Sequence, residues 1–248
     1  TNPEDMPAFI ELLEKWRKKH DSCPIEIRWP LLEHAGVYKG SSFANHLTLL
    51  DADPNTVYSK FKKKSVHASI VQGSKSGIII KKGEDWTALR TFYNLHCQTR
   101  KRQGTPVQPL RFFKMLHDKL LSKGYGFVLL AYMGDIPIAG GVFLCWNKIL
   151  IYKYGASDTA HWNLRPNNLL IWHAIRWGCE NGCNVFDWGK TELANEGLIS
   201  FKRHWGSNEE ILNYSILANQ APQPPPKEKI PGFLATLISR LLFCSFVQ

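Results

Sequence analysis

The sequence predicts an α/β (α+β) fold in which a mixed, mostly antiparallel sheet is flanked by helices. Three apolar runs at 127–131, 138–145 and 149–154 follow one another, the first two around a Met-Gly-Asp turn at 133–135, which favours an antiparallel meander. Helical patterns surround this meander, so the order of elements from about 78 to 217 is β-α-α-β-β-β-α-β-α-β. The 248 residues, 44% of them hydrophobic, suffice for a sizeable core in one domain or two small ones.

The first 77 residues combine two helical signals with short strands. Apolar residues at i, i+3, i+4 and i+7 predict an amphipathic helix from about 7 to 20. Asp53 followed by Pro54 predicts the start of a second helix, because Asp caps free amides and Pro suits the first helical turn. That helix is expected to carry Val57, Phe61 and a run of lysines. The segments between the helices are predicted as strands at 25–28 and 46–50 and as a loop at 36–42.

A buried-type strand is predicted at 78–82, and Asp85 is placed to cap the helix that follows. This helix carries His96 on its apolar face, so we expect a packed histidine rather than a catalytic one. Basic residues before Gly104 predict the helix end, because cations stabilise the carboxyl end of the dipole and glycine fits the cap. Pro109 opens the next helix, whose inward face is predicted to hold Phe112, Phe113, Leu116 and Leu120.

A dense stretch of aromatic and charged residues follows later in the chain. A short strand ends at Asp187-Trp188-Gly189, and a helix begins near Gly197. Its apolar face is predicted to hold Leu198, Phe201 and Trp205. Lys202 lies at the edge of that face, so its charge is expected to be partly sheltered. Gly206 is placed for a left-handed cap, and a last strand is predicted at 210–217.

This stretch resembles the closing motif of the FemABX-like aminoacyltransferases, a branch of the GNAT acyltransferase superfamily. Members carry a strand that ends in Asp, an aromatic residue and a nearby Gly, followed by Gly-Leu-x-x-Phe-Lys-x-x-Phe/Trp-Gly. Here those segments are 187–189 and 197–206. The predicted order of elements is also similar to the GNAT order. The resemblance implies a GNAT-like fold with two half-domains, of which the first is only partly present in this sequence.

The resemblance and a change in composition predict the domain organisation. We expect a partial first GNAT-like half-domain at 1–77, a complete GNAT-like acyltransferase domain at 78–218, a Pro-rich linker at 219–232 and an apolar helix at 233–248. The last helix is expected to pack back on the first half-domain, and an interfacial helix on a membrane is the alternative. Because the chain begins with Thr1 rather than Met, further sequence is expected upstream.

Positive charge is concentrated in one quarter of the chain. The net charge is +10, and residues 60–123 contain 15 Lys or Arg against three acidic residues, a local excess of +12. Such an excess favours an anionic partner, and a solvated basic face is the alternative. Phosphates of an RNA or of an anionic lipid carrier are expected to contact Lys60, Lys62, Lys63, Lys64, Arg100, Lys101 and Arg102.

The six cysteines lack the spacing of a metal site. There is no Cys-x-x-Cys pair, so no metal is predicted, and Cys97 and Cys145 lie in apolar runs typical of small core residues. Scattered cysteines indicate a reducing compartment. The sequence shows no signal peptide and no apolar run of the ~20 residues that cross a bilayer. We therefore expect a cytoplasmic location, with a peripheral contact at the inner face of the membrane as a further option.

The loop that holds coenzyme A in ordinary acetyltransferases has no counterpart here. That loop, Arg/Gln-x-x-Gly-x-Gly/Ala, wraps a pyrophosphate with backbone amides at a helix N-terminus. The matching segment 161–168 lacks the glycines, and Pro166, which opens the next helix, removes one amide donor. FemABX-like proteins share this departure. The resemblance therefore implies aminoacyl-tRNA as a co-substrate with no bound cofactor, and acetyl-CoA or acyl-CoA is the alternative donor.

Aminoacyl transfer needs a group that stabilises negative charge, because an amine attacks an ester carbonyl. A fixed cation within hydrogen-bond reach of the carbonyl oxygen contributes ~2.7–4 kcal/mol, on the scale of other oxyanion donors. Lys202 is the candidate, and the resemblance implies the same role. Asp187 and Glu192 are candidates for the general base, although each could instead cap a turn. The candidates for lining the substrate site are Tyr152, Tyr154, Arg165, Trp188 and Phe201. For the two tyrosines, core packing is the alternative.

The resemblance implies transfer to an amine of a peptidoglycan precursor, a polysaccharide precursor or another envelope component. Two other functions stay open. One is an N-acyltransferase that uses coenzyme A or a carrier protein, with a non-standard donor site. The other is a catalytically silent GNAT-like module that binds nucleic acid or an envelope polymer. The residues alone name neither the acceptor nor the oligomeric state.

Overall fold

The computed structural model of the protein describes residues 5–31 and 34–221. The predicted helix at 233–248 and nearly all of the predicted linker at 219–232 lie outside the described residues.

The described residues form eight strands and seven α-helices. The strands are β1 (Ile25–Ile27), β2 (Val37–Leu49), β3 (Ile79–Gly83), β4 (Gly126–Met133), β5 (Ile136–Trp146), β6 (Ile149–Ser157), β7 (Val185–Glu192) and β8 (Asn208–Leu217). The helices are α1 (Met6–Lys19), α2 (Pro54–Ser59), α3 (Ala68–Lys75), α4 (Trp86–Arg102), α5 (Leu110–Lys119), α6 (Pro166–Glu180) and α7 (Glu196–Arg203). This mixed, mostly antiparallel α/β fold and the order of elements from β3 to β8 confirm the predicted fold class.

The chain folds into two compact units, each built from separated segments. Among the described residues, the first unit contains those up to 45, 190–199 and those from 209 onward, and the second contains 46–189 and 200–208. The predicted boundary between 77 and 78 lies inside the second unit. The division into GNAT-like half-domains stays a prediction.

The first unit has the strand order β1-β8-β2. Strand β1 pairs antiparallel with β8, with Ile25 opposite Leu217. Helix α1 contributes Met6 and Ile10 to a small core around Leu217. The guanidinium of Arg17 is also buried in this unit, where it donates hydrogen bonds to the Glu14 carboxylate and to the Asn219 side chain.

The second unit has the strand order β7-β6-β5-β4-β3. Its strands pair antiparallel except for β6 and β7, which are parallel. Alternate residues of β4 enter two separate cores, Phe127 and Leu129 on the side of α6 and Val128 and Leu130 on the side of α4 and α5. The sheet is therefore covered by helices on both faces.

Strands β6 and β7 separate where the candidate residues lie. Their recorded parallel pairing covers Ile149–Ile151 against Val185–Asp187, although both strands run on beyond these residues. Strand β6 also has an irregular register around Lys153, because Phe143 of β5 pairs with Tyr152 and its neighbour Val142 pairs with Tyr154. The parallel register of the two strands thus ends at Ile151 and Asp187, close to the candidate residues Tyr152 and Trp188.

Three predicted elements differ from the structure. The loop expected at 36–42 is the first part of β2, because pairing with β8 imposes a strand on a Gly- and Ser-rich segment of weak intrinsic preference. The helix that starts at Pro54 ends at Ser59, so Phe61 and the lysines lie beyond it, and Lys63 and Lys64 begin a π-helical turn (Lys63–His67). The strand predicted as buried, β3, lies at the edge of the sheet, and its Ile79 is 55% exposed.

Candidate active site

Helix α7 places the first candidate, Lys202. The helix begins where the Asn195 side chain accepts a hydrogen bond from the Leu198 N–H at 3.1 Å, and Gly206 follows it with φ +64°. The predicted left-handed cap is thereby confirmed. The predicted apolar face is wrong at one position, because Leu198 is 40% exposed. Lys202 is only 4% exposed and shares the buried face with Trp205, so it is not an edge residue.

The ammonium of Lys202 is held by the end of β7. Its Nζ donates hydrogen bonds to the backbone oxygens of Trp188 at 3.0 Å and Gly189 at 2.7 Å. An ammonium has three N–H donors, so one remains for a substrate oxygen. This arrangement fixes the position of the cation before any substrate binds, which is the condition for stabilising a developing oxyanion.

Asp187 shapes the turn that presents these carbonyls. Its Oδ1 accepts a hydrogen bond from the Gly189 N–H at 2.7 Å, and Gly189 has φ +68°, a conformation that favours glycine. Burial lowers the pKa of Lys202 to about 8, and the negative charge of Asp187 opposes that shift. Asp187 therefore supports both the geometry and the charge of Lys202. Its role as a general base stays a prediction.

Trp188 lies in the core beneath this turn. It is 4% exposed, and its indole Nε1–H donates a hydrogen bond to Thr48 Oγ1 at 2.9 Å. The Thr48 hydroxyl in turn donates to the Trp205 backbone oxygen at 3.3 Å. The half-buried Phe201 ring meets Trp188 edge to face, with the ring centroids 6.1 Å apart. These contacts fix the backbone that Lys202 binds, and direct contact of Trp188 or Phe201 with a substrate stays a prediction.

Tyr152 stands on the β6 side of the gap. Its ring stacks on Phe143 with centroids 5.2 Å apart and meets Trp188 edge to face at 6.4 Å. A Cβ atom on Gly155 would lie 1.9 Å from the Tyr152 hydroxyl, so glycine is needed there to leave room for it. Burial raises the pKa of Tyr152 to about 12, which keeps the hydroxyl protonated as a hydrogen-bond donor.

The other three predicted site residues have different surroundings. Tyr154 packs against His96 and Phe113 in the second core, on the side of α4 and α5. Glu192 is exposed at the end of β7, in the first unit. Arg165 is exposed at the start of α6 and has φ +58°. The structure therefore gathers Lys202, Asp187, Trp188, Phe201 and Tyr152, whereas Tyr154 and Arg165 lie outside this group. The role of Glu192 stays a prediction. His96 is packed as predicted.

The junction between β6 and α6 is filled by the chain's own side chains. Ser157 Oγ accepts hydrogen bonds from Trp162 Nε1 at 2.8 Å and from Asn167 Nδ2 at 3.2 Å. The Arg102 guanidinium lies over the Trp162 ring at 5.0 Å and donates to the Ser157 backbone oxygen at 3.2 Å. This is the segment where the sequence lacks the glycines of a pyrophosphate loop. Trp162 and Asn167 of this segment, and the nearby Arg102, therefore already contact Ser157 or each other within the protein.

The predicted anion-binding residues differ in their surroundings. Lys62 Nζ lies 3.0 Å from His204 Nε2, and a Cβ atom on Gly206 would meet the Lys60 backbone oxygen at 3.2 Å. The segment 60–64, called the lysine turn below, thus packs against the residues that follow α7. Arg100 bonds to the Pro106 backbone oxygen, and Arg102 is engaged at the junction described above. The members that remain exposed on the surface are Lys60, Lys62, Lys63, Lys64, Lys101 and Arg102.

Sequence reasoning missed Thr48 and His204. Thr48 is a single hydroxyl in an apolar strand, and no local pattern marks it as a partner of a tryptophan 140 residues away. His204 belongs to the motif itself, and its nearness to a lysine run could not be read from spacing. In the described part of the chain, no group of three or more His, Cys, Asp and Glu side chains could hold a metal ion, and no helix is long and apolar enough to cross a membrane.

We predict that the rate of transfer falls as pH rises through about 8, because Lys202 loses its proton, and that the free energy of unfolding rises over the same interval. The oxyanion needs the protonated ammonium, which loses its proton near pH 8 in the folded protein. The unfolded chain keeps that proton up to the ordinary value of 10.5, so it binds more protons between these two values, and the free energy of unfolding rises with pH there. Single-turnover rates and urea unfolding across this interval measure both effects.

A Lys202→Arg variant is the control for this pH dependence. Arginine stays protonated over the whole interval, so a folded variant should lose the alkaline decline of the rate. A wild-type rate that keeps rising through the interval, as deprotonation of the acceptor amine alone would cause, contradicts the prediction.

Comparison with known proteins identifies relatives of this site and fold. Residues 70–203, more than half of the chain, match the family described as an acetyltransferase (GNAT) domain. The lipid II:glycine glycyltransferase of Staphylococcus saprophyticus is 27% identical over 92 residues, which cover 34% of this chain. The match spans only 22% of that relative's length.

Solved structures show the same fold over nearly the whole chain. FemX superposes with a TM-score of 0.72 at 16% identity, covering 96% of this chain and 80% of FemX. The C-terminal domain of a protein assigned as a lysylphosphatidylglycerol synthetase, from Agrobacterium fabrum, has a TM-score of 0.61 at 13% identity, covering 97% of this chain and 78% of that one. At these identities the structural likeness shows the fold alone.

Proposed function

The chain belongs to the acetyltransferase (GNAT) domain family. We propose that it acts like the FemABX-like branch of this family and transfers an aminoacyl group from aminoacyl-tRNA to an amine acceptor of the cell envelope. The observation that carries the proposal is the buried Lys202 ammonium, anchored on two β7 carbonyls with one N–H donor to spare. A peptidoglycan precursor is the acceptor that we propose first. The name of the glycyltransferase relative supports lipid II and glycine as the first pair to test.

The proposed reaction forms an amide and breaks an ester. The acceptor amine attacks the carbonyl carbon of the aminoacyl ester, and the carbonyl oxygen becomes an oxyanion. The spare N–H of Lys202 stabilises this oxygen, because a preorganised cation in a site with little water costs no reorganisation during the reaction. The C–O bond of the ester breaks as the amide forms, and the ester oxygen of the tRNA takes up the proton that the amine gives up, so that it leaves as a hydroxyl. Asp187 and Glu192 remain the proposed bases that would pass this proton from the amine to the leaving oxygen.

Two observations support aminoacyl-tRNA over coenzyme A as donor. At the β6–α6 junction the side chains of Trp162 and Asn167 both donate hydrogen bonds to Ser157 Oγ, and Pro166 offers no amide to a pyrophosphate. The local excess of +12 between residues 60 and 123 suits a polyanion better than a single nucleotide. In this proposal the enzyme works in the cytoplasm, close to the inner face of the membrane.

The donor test compares two candidates under one salt concentration. We expect labelled glycyl-tRNA to bind and to transfer its amino acid to lipid II or to a soluble precursor peptide. We expect acetyl-CoA to bind weakly and not to compete with tRNA, as measured by calorimetry. Micromolar binding of coenzyme A without tRNA-dependent transfer contradicts the proposal and favours an N-acyltransferase that uses coenzyme A or a carrier protein.

The salt dependence of tRNA binding is the second readout of the same test. Each phosphate contact lowers log affinity by ~0.7–0.9 per unit of log salt concentration. A variant with Lys63→Gln and Lys64→Gln should therefore have a shallower slope. The matched control changes the exposed Lys15 and Lys19 of α1 and should keep the wild-type slope. Equal slopes for the two double variants would make the lysine turn a solvated face only.

A further inference from the structure

The hairpin between β5 and β6 exposes apolar side chains at its tip. Trp146 is 68% exposed, Tyr125 beside it 40% and Ile149 36%. The Tyr125 and Trp146 rings meet edge to face with centroids 5.4 Å apart, and Trp146 pairs across the hairpin with Ile149. These three residues are called the hairpin patch below. Neighbouring apolar side chains of this size, exposed together on one surface, are typical of an interaction site.

An open apolar pocket of about 350 Å³ lies beside the hairpin patch. It is lined by Leu120, Tyr125, Leu144, Cys145, Trp146 and Ile151. Among these side chains only the Tyr125 hydroxyl, the Trp146 indole N–H and the Cys145 thiol are polar, and the thiol lies 3.6 Å from the thiol of Cys183. The pocket therefore offers an apolar surface to a ligand and very few hydrogen-bonding partners.

Lysines surround the hairpin patch along the chain. Lys119 directly precedes the pocket residue Leu120, Lys123 lies two residues before Tyr125, and Lys148 lies in the turn of the hairpin. All three lysines are exposed. The nearest acidic residue in this part of the sequence, Asp118, already accepts a hydrogen bond from Lys114 at 2.9 Å. The surroundings of the patch are thus strongly basic.

We propose that the hairpin patch docks on an anionic lipid bilayer. Trp146 and its neighbours would enter the headgroup region, where the amphipathic rings of Trp and Tyr are most stable, while the three lysines contact lipid phosphates. A stable protein partner needs about 20–30 residues on each side, more than this hairpin and its pocket provide. The inference goes beyond the proposed function, because bilayer binding requires neither a donor nor an acceptor.

Docking at this hairpin would bring the membrane close to the candidate active site. Ile149 begins β6, and Tyr152 follows three residues later on the same strand, a distance of ~10 Å. An acceptor carried on a lipid would therefore reach the gap between β6 and β7 from the bilayer surface without leaving it.

Co-sedimentation with lipid vesicles tests the proposal. Wild-type protein should bind vesicles of phosphatidylcholine mixed with phosphatidylglycerol and bind much less to vesicles of phosphatidylcholine alone. Changing both Lys123 and Lys148 to Gln should lower the partition coefficient by roughly 25- to 30-fold. Each lysine near an anionic surface contributes about 1 kcal/mol, which is about a fivefold change in partitioning. Trp146→Ser should lower it by about tenfold or more, since an exposed ring loses its apolar contact with the lipid.

A matched control and a second measurement keep the test decisive. Trp29 is 61% exposed in the first unit, so Trp29→Ser removes an equally exposed ring and should leave vesicle binding unchanged. Failure of the wild type to bind phosphatidylglycerol vesicles at low salt overturns the proposal, and so does binding that the hairpin variants do not change. A dimer in sedimentation velocity that Trp146→Ser dissociates would assign the patch to a second copy of the chain. Because the vesicles contain no substrate, none of these results depends on the donor test.

Discussion

Replacing Lys202 by Met is expected to lower the rate of transfer by roughly 100- to 1000-fold, the usual loss when one oxyanion donor is removed. The methionine keeps the length of the side chain and removes the charge. Substrate binding should change little, because the contact strengthens only as the oxyanion forms. Single-turnover rates with labelled aminoacyl-tRNA measure the effect.

The same change should also destabilise the fold, which the partly sheltered edge position expected from the sequence would not do. The carbonyl oxygens of Trp188 and Gly189 lose a buried donor, at a cost of roughly 1–3 kcal/mol each. Leu95→Ala is a matched control. This α4 residue is 4% exposed in the core on the side of α4 and α5, and its truncation lowers the free energy of unfolding by a comparable ~2–5 kcal/mol. If both variants lose equal activity per folded molecule, Lys202 is structural only.

Trp205→Ala is expected to give the largest loss of stability, about 3–5 kcal/mol, because this fully buried ring would leave a cavity in the core of the second unit. It lies 5.1 Å from the Phe61 ring and 5.5 Å from the Trp188 ring, so its removal loosens both the lysine turn and the end of β7. The midpoint of urea unfolding measures the change.

Leu198→Ala, in helix α7 shortly before Trp205, is the control. Leu198 is 40% exposed, so its truncation should change the free energy of unfolding by no more than about 0.5 kcal/mol. The apolar spacing of α7 predicts similar losses for the two variants, whereas the structure predicts very different ones. Equal losses in the free energy of unfolding for Trp205→Ala and Leu198→Ala would contradict the burial of Trp205 and the exposure of Leu198.

The fold class and many element ends followed from local signals in the sequence. Asp53 and Asp85 cap α2 and α4 through the backbone N–H groups of Asn55 and Ala88, as their positions predicted. Such caps involve residues two or three apart, and so a single sequence contains the whole interaction. The meander from β4 to β6 is equally local, because short turns join its strands.

The details of the site depend on contacts that no spacing records. The partners of Lys202 are backbone carbonyls, which every residue has, so side-chain patterns cannot point to them. Apolar periodicity also treats a lysine as an outward-facing residue. For this reason Leu198 was predicted to be buried on α7, whereas the buried residue is its neighbour Ile199, which is 3% exposed. The first half of β2 was missed for a similar reason, since its strand conformation comes from its partner β8.

The hydrogen bond between Thr48 and Trp188 also constrains how this protein can be synthesised and shortened. A ribosome must complete nearly all of the described chain before Trp205 can close over Thr48, so the site forms late and after many other contacts. A fragment limited to 70–203, the span of the family match, would keep Lys202 but leave the indole N–H of Trp188 buried without its acceptor. The candidate lysine alone therefore does not define a portable domain, and truncation has to preserve both the segment around Thr48 and the segment around Trp205.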